Sequence, residues 1–104
     1  TLPLMAIGGR GVISVVGNII PRDMIAMLDA FERGDRLAAQ QQHLKLFPLC
    51  RDMLGLSTNP IPIKTALALS GRIGSELRPP RCDMAPANQR RLEDVLRELG
   101  ILGP

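Results

Sequence analysis

The 104-residue chain contains no tryptophan, no tyrosine and only two phenylalanines. Leucine, isoleucine, valine, methionine and alanine must therefore build its core. It has a single histidine, His43, and two cysteines, Cys50 and Cys82, whose separation fits no metal-ligand spacing. With no secretion signal beside them, two such cysteines read as reduced, packing thiols. Blocks of one charge sign are also missing. The thirteen basic residues, eleven of them arginine, are scattered among ten acidic ones, for a net charge of +3. Nucleic-acid binding asks for a clustered basic face or stacking aromatics, and neither is present, so no nucleic-acid partner is expected. No apolar run approaches the ~18 residues that cross a bilayer. No signal peptide is recognisable, the first residue is not methionine, and the chain reads as opening inside an element. The expected setting is the cytoplasm, away from membranes.

What is there is organised around Gly8-Gly9-Arg10-Gly11-Val12-Ile13-Ser14-Val15-Val16-Gly17-Asn18. Val12 to Val16 form a β-branched run interrupted only by Ser14, the pattern of a strand buried on both faces in a parallel sheet. No second strand is legible, so the expected strand has no partner within the chain. Before it, Thr1 to Ile7 reads as the end of a helix, closed by Gly8 and Gly9. After it, Pro21 suits the first position of a helix, and Asp23 favours the positive end of the helix dipole. Met24, Met27, Leu28 and Phe31 make one apolar stripe that stops at Gly34.

Three further helices follow. Asp35 is placed to cap Arg36 to about Leu54, with Pro48 breaking one hydrogen bond to the Leu44 carbonyl and kinking the middle. Asn59 is placed to cap a helix opening at Asn59-Pro60-Ile61-Pro62-Ile63-Lys64, with Ile63, Ala66, Leu67 and Ser70 inward and Gly71 and Gly74 at its close. Leu77 to Asp83 holds Pro79 and Pro80 and should be extended, because each proline disfavours helix in the residue before it. Pro86 starts the last helix, with Leu92, Val95, Leu96 and Leu99 as its stripe.

A search for chemistry returns little. The Gly8–Gly11 cluster precedes a strand, whereas phosphate-cradling glycines follow one and open a helix. Its reading is a helix stop. The Gly17-Asn18 loop holds the place where α/β proteins contact ligands. An imine-forming lysine must be desolvated, but Lys45 lies in a polar helical stretch and Lys64 early in a helix, so both read as solvated or structural. His43 has no nucleophile at a suggestive spacing, and Ser14 lacks a nucleophile-elbow pattern; its hydroxyl is expected to bond a neighbouring segment. Glu93, Asp94 and Glu98 interleave with Arg90, Arg91 and Arg97 as a solvated face of i,i+4 pairs.

Gly8-Gly-Arg-Gly-Val-Ile-Ser-Val15, Arg22-Asp23-Met24, Asn59-Pro-Ile-Pro-Ile-Lys64 and Leu77-Arg-Pro-Pro80 resemble, in that order, the C-terminal third of the dihydrodipicolinate synthase (4-hydroxy-tetrahydrodipicolinate synthase) family of Schiff-base pyruvate lyases. Arg81 and Val16-Gly17 depart mildly from its pattern. The resemblance implies an α/β fold: the end of a (β/α)8 TIM barrel over residues 1–33, comprising the tail of the seventh helix, the eighth strand and the eighth helix. A three-helix C-terminal extension over residues 34–104 would follow. A whole barrel needs ~250 residues, which accounts for the lone strand.

The resemblance further implies condensation of pyruvate with aspartate 4-semialdehyde in lysine (diaminopimelate) biosynthesis by a homotetramer, with no cofactor and no metal. Of the family's site, only Ile13 matches, through a backbone carbonyl that faces pyruvate. No catalytic residue is carried over, because the Schiff-base lysine and the relay tyrosine belong to sequence upstream, as does the lysine feedback site. The chain alone is then expected to be inactive, with no borohydride-trapped pyruvate adduct on Lys64. Two alternatives stand beside this reading: another pyruvate-dependent Schiff-base aldolase of the same family, and a non-catalytic helical interaction module.

Overall fold

The computed structural model describes residues 1–103, and every described element is helical. The order is α1 (Leu2–Ala6), a short 3-10 turn (Val16–Asn18), α2 (Pro21–Glu32), α3 (Arg36–Gly55), α4 (Ile61–Leu69) and α5 (Pro86–Glu98). The residues cluster into two compact units, Thr1–Phe47 and the chain from Pro48 onward, with the division falling inside α3.

The expected strand over Val12–Val16 is not formed among the described residues. Gly9 to Ser14 runs without helix or ladder, and Val16 enters the 3-10 turn instead. The physical reason is the one the sequence poses: a strand is defined by the neighbours it bonds to, and this chain carries no second segment to pair with. The apolar residues just after the open segment behave differently. Val16, Ile19 and Ile20 are buried, and the 3-10 turn packs on α2.

Four helices, α1, α2, α4 and α5, stop in the same way. In α2 the Gly34 N–H donates to the Phe31 carbonyl (3.0 Å) and the Asp35 N–H to the Ala30 carbonyl (2.9 Å). That double closure requires a left-handed residue, and Gly34 supplies it at φ +80°. In α4 the closing residue is Gly71 alone, and Gly74, expected to share the role, is not part of the closure. At its start, α3 is capped as expected: Asp35 Oδ1 accepts from the Ala38 N–H at 3.0 Å. Asn59 does not cap α4. The residue before that helix is Pro60, its bond from Asn59 is cis, and no side chain caps the helix.

The first unit buries Met24, Met27 and Ala30 of α2. Leu28 and Phe31 are only half-buried, so the inward face lies one step round from the expected stripe, toward Ala30. Helix α3 continues through Pro48, with Ala39, Leu46, Leu49 and Met53 buried along it. In the second unit α4 packs on α5, burying Ile61, Pro62, Ile63 and Ala66 from one and Leu92, Val95 and Leu96 from the other. No helix among the described residues is long and apolar enough to cross a membrane.

Candidate functional site

The candidate site is the open segment from Gly8 to Ser14 and the turn that follows. It is bounded by two local devices. On one side the Gly8 and Gly9 N–H groups donate to the Met5 carbonyl (3.1 Å) and the Leu4 carbonyl (2.8 Å), closing α1. Those N–H groups are therefore spent on the helix and are not free to cradle a phosphate, which agrees with the geometric reading of the glycine cluster. A Cβ on Gly9 would lie 2.8 Å from the Leu4 carbonyl oxygen, so a side chain there would force the closure apart. On the other side, Ser14 Oγ accepts from the Gly17 N–H at 3.1 Å, and the Asn18 amide donates to the Val15 carbonyl at 3.0 Å. Ser14 thus holds its own turn rather than bonding a distant segment.

Between these devices the chain is unusual. Arg10, Gly11, Val12 and Ile13 make no internal hydrogen bond among the described residues. Ile13 presents its whole side chain to solvent, at 105% relative exposure, and Val12 is 43% exposed. Leu4, on the helix leading in, and Ile7, just past its end, are exposed too. A cleft of about 540 Å³ lies beside the segment, lined by Met5, Gly8, Gly9, Arg10, Phe31 and Glu32. Among the described residues, the Ile13 carbonyl accepts from no donor.

The side chains with chemical potential are each taken up elsewhere. Lys45 Nζ pairs with Asp23 Oδ1 at 3.2 Å, tying α3 to the first turn of α2. Lys64 Nζ donates to the Glu76 backbone carbonyl, so it fixes the segment after α4. His43 stacks obliquely on Phe47 with ring centroids 6.0 Å apart, one helical turn along α3. Cys50 and Cys82 are free thiols, and burial pushes the Cys50 thiol up, away from the reactive thiolate. No group of three or more His, Cys, Asp or Glu side chains among the described residues could hold a metal ion.

One polar cluster escaped the sequence reading. Asp52 is 2% exposed, and its carboxylate accepts from Arg51 Nε (2.7 Å), Arg91 Nε (2.9 Å) and Arg91 Nη2 (3.0 Å). Burial alone would push this carboxyl up. The hydrogen bonds and charges of Arg51 and Arg91 outweigh that and hold it below the usual carboxylate range. The cluster joins α5 to the C-terminal half of α3, where the Asn88 amide also donates to the Leu56 carbonyl at 2.7 Å. Arg91, expected in an i,i+4 pair, is committed to Asp52, while Arg97 and Glu93 do form such a pair, at 3.9 Å. The available signal was a lone aspartate in the apolar half of a helix, flanked by Leu49, Cys50, Met53 and Leu54.

These features define a mostly helical chain with one open, unpaired segment, and the solved structures it matches are TIM barrels of which it corresponds to a C-terminal portion. Comparison with known proteins makes it specific: the Dihydrodipicolinate synthetase family matches over residues 1–99, and the chain belongs to that family. It is 48% identical over 102 residues to the 4-hydroxy-tetrahydrodipicolinate synthase of Methanocaldococcus jannaschii, covering 98% of this chain and 35% of that protein. To the enzyme of the same name from Nitratidesulfovibrio vulgaris it is 52% identical over 101 residues, covering 97% and 34%. The crystal structure of dihydrodipicolinate synthase from Thermotoga maritima superimposes with a TM-score of 0.94 at 39% identity, over 98% of this chain and 34% of that one. The chain therefore spans about a third of the length of the relatives it matches.

Proposed function

We propose that the chain serves as the C-terminal portion of a 4-hydroxy-tetrahydrodipicolinate synthase. This cytoplasmic lyase condenses pyruvate with L-aspartate 4-semialdehyde in lysine (diaminopimelate) biosynthesis, and it works as a homotetramer. Residues 1–33 complete the barrel and residues 34–104 form the helical extension. The Schiff-base lysine comes from the part of the enzyme that precedes these residues, and this portion contributes the Ile13 carbonyl toward bound pyruvate. The carrying observation is the 48% identity with the Methanocaldococcus jannaschii synthase across 98% of the chain. Unpaired backbone around Ile13 supports the assignment, because a carbonyl left without an internal donor is available to a bound molecule or its reacting group.

The direct experiment joins the preceding two-thirds of the Methanocaldococcus jannaschii enzyme to this chain and assays the condensation. The chimera is expected to turn over both substrates and to be trapped by borohydride in the presence of pyruvate. A folded chimera that traps pyruvate but accepts a different aldehyde would replace the second substrate. A folded chimera that does neither would overturn the reading.

A further inference from the structure

We infer that Ser14 is a positioning residue: its hydroxyl, locked into the turn that follows, aims the carbonyl of the residue before it at bound pyruvate. The inference rests on the reading proposed above, in which the Ile13 carbonyl faces that substrate. In a strand, carbonyls are aimed by the neighbours they bond to. One turned toward a bound molecule has no such neighbour, so its aim must come from the chain beside it. The Ile13 side chain contributes nothing within this chain, being fully exposed, and Arg10 to Ile13 make no internal hydrogen bond among the described residues. The next residue is different. The Ile13 carbonyl lies in one rigid plane with the N–H and Cα of Ser14. Once Ser14 is held, the carbonyl keeps a single soft rotation, about the Ser14 N–Cα bond.

Ser14 is held firmly. Its Oγ accepts from the Gly17 N–H at 3.1 Å, a local side-chain bond that fixes both the hydroxyl and the path of the backbone. A Cβ on residue 17 would come within 3.3 Å of the Ser14 Cβ, so glycine there leaves room for the close approach. The turn is tied a second time at the Val15 carbonyl, which accepts from the Asn18 side-chain amide at 3.0 Å and from the Asn18 N–H at 3.2 Å. It is also anchored by burial: Val16, Ile19 and Ile20 are inside, and the turn packs on α2. The backbone is thus free as far as Ile13 and fixed from Ser14 onward, and the boundary falls at the peptide that carries the Ile13 carbonyl. A hydroxyl makes that join, which threonine would keep and alanine would lose.

The test uses the chimera with the preceding two-thirds of the Methanocaldococcus jannaschii enzyme and measures kcat/KM separately for pyruvate and for L-aspartate 4-semialdehyde. Ser14→Ala is expected to lower kcat/KM for pyruvate about tenfold, because a small misplacement of a group facing the substrate is costly. Borohydride trapping at limiting pyruvate should slow in step. For the semialdehyde, which reacts after pyruvate is bound, kcat/KM should stay within about twofold. Ser14→Thr should restore the pyruvate value. Met27→Ala removes a buried side chain of α2 that takes no part in these bonds; it should lower the melting temperature and leave both kcat/KM values at those of the parent. No loss in Ser14→Ala, an equal loss for both substrates, no rescue by threonine, or the same loss in Met27→Ala would overturn the positioning role. In an active parent chimera each of these results leaves the proposed function standing, whereas a folded parent chimera that traps no pyruvate overturns both.

Discussion

Two regions of this chain handle polar groups in opposite ways. Around Asp52 a carboxylate with 2% exposure is met by two arginines, and α5 is bonded to the end of α3 through both side chain and backbone. Around Ile13 the backbone is unpaired and the apolar side chain is outside. The first arrangement is complete within the chain. The second is the one that the proposed place in a barrel would complete. Internally paired and unpaired regions thus coexist in about a hundred residues: α4 and α5 pack on each other, and the segment next to the proposed substrate contact makes no internal hydrogen bond among the described residues.

Substitution should expose that contrast in thermal or denaturant unfolding of the chain. The largest effect is expected at Leu92, which is fully buried: Leu92→Ala should cost about 2–5 kcal/mol through lost burial and the cavity left behind. Ile13→Ala, an equally apolar truncation at a fully exposed position, should stay within about 0.5 kcal/mol. Equal losses at the two positions would erase the distinction. Next comes Asp52→Asn, expected to cost about 1–3 kcal/mol at neutral pH, below the full value for a broken buried pair because both arginines are half in water.

The sign of the pH dependence follows from the direction of the shift. A carboxyl lowered in the folded state contributes stability above its ordinary pKa of about 4 and loses that contribution as pH falls through the lowered folded value. The gap in melting temperature between the parent chain and Asp52→Asn should therefore be full at pH 7 and shrink as the medium is made more acidic than about pH 4. A gap constant with pH would mean that packing, and not charge, holds the cluster.

Smaller effects test the local devices. Gly34→Ala should cost about 1 kcal/mol because of its left-handed backbone, and Asp35→Ala about 1 kcal/mol through the lost cap. Lys45→Ala should change stability by less than about 1 kcal/mol, with most of the effect gone in high salt, because the pair with Asp23 is exposed.

Much of this architecture was legible in the residues. The starts of α2 and α5 at prolines, the Asp35 cap and the glycine stops all came from local chemistry that needs no distant partner. The departures share a cause. Val12–Val16 has the composition of a strand, but composition cannot supply the neighbours that make one. Asn59 has the right side chain for a cap, but the chain passes through Pro60 before α4 begins. Asp52 and Arg91 stand 39 positions apart, and a pairing that long depends on how helices pack, which no window of sequence displays. The proposed contact was legible only through the motif, because a backbone carbonyl such as that of Ile13 leaves no signature in residue type.

Hydrogen exchange at the Arg10–Ile13 amides tests the central claim most directly, measured in the chain alone and in the chimera with the preceding two-thirds of the Methanocaldococcus jannaschii enzyme. The account predicts exchange near the unprotected rate in the chain alone, and strong protection in the chimera, comparable to that of the amides in the middle of α5. Equal exchange in the two, whether fast in both or protected in both, would contradict the claim that this segment is a strand completed by the rest of a barrel.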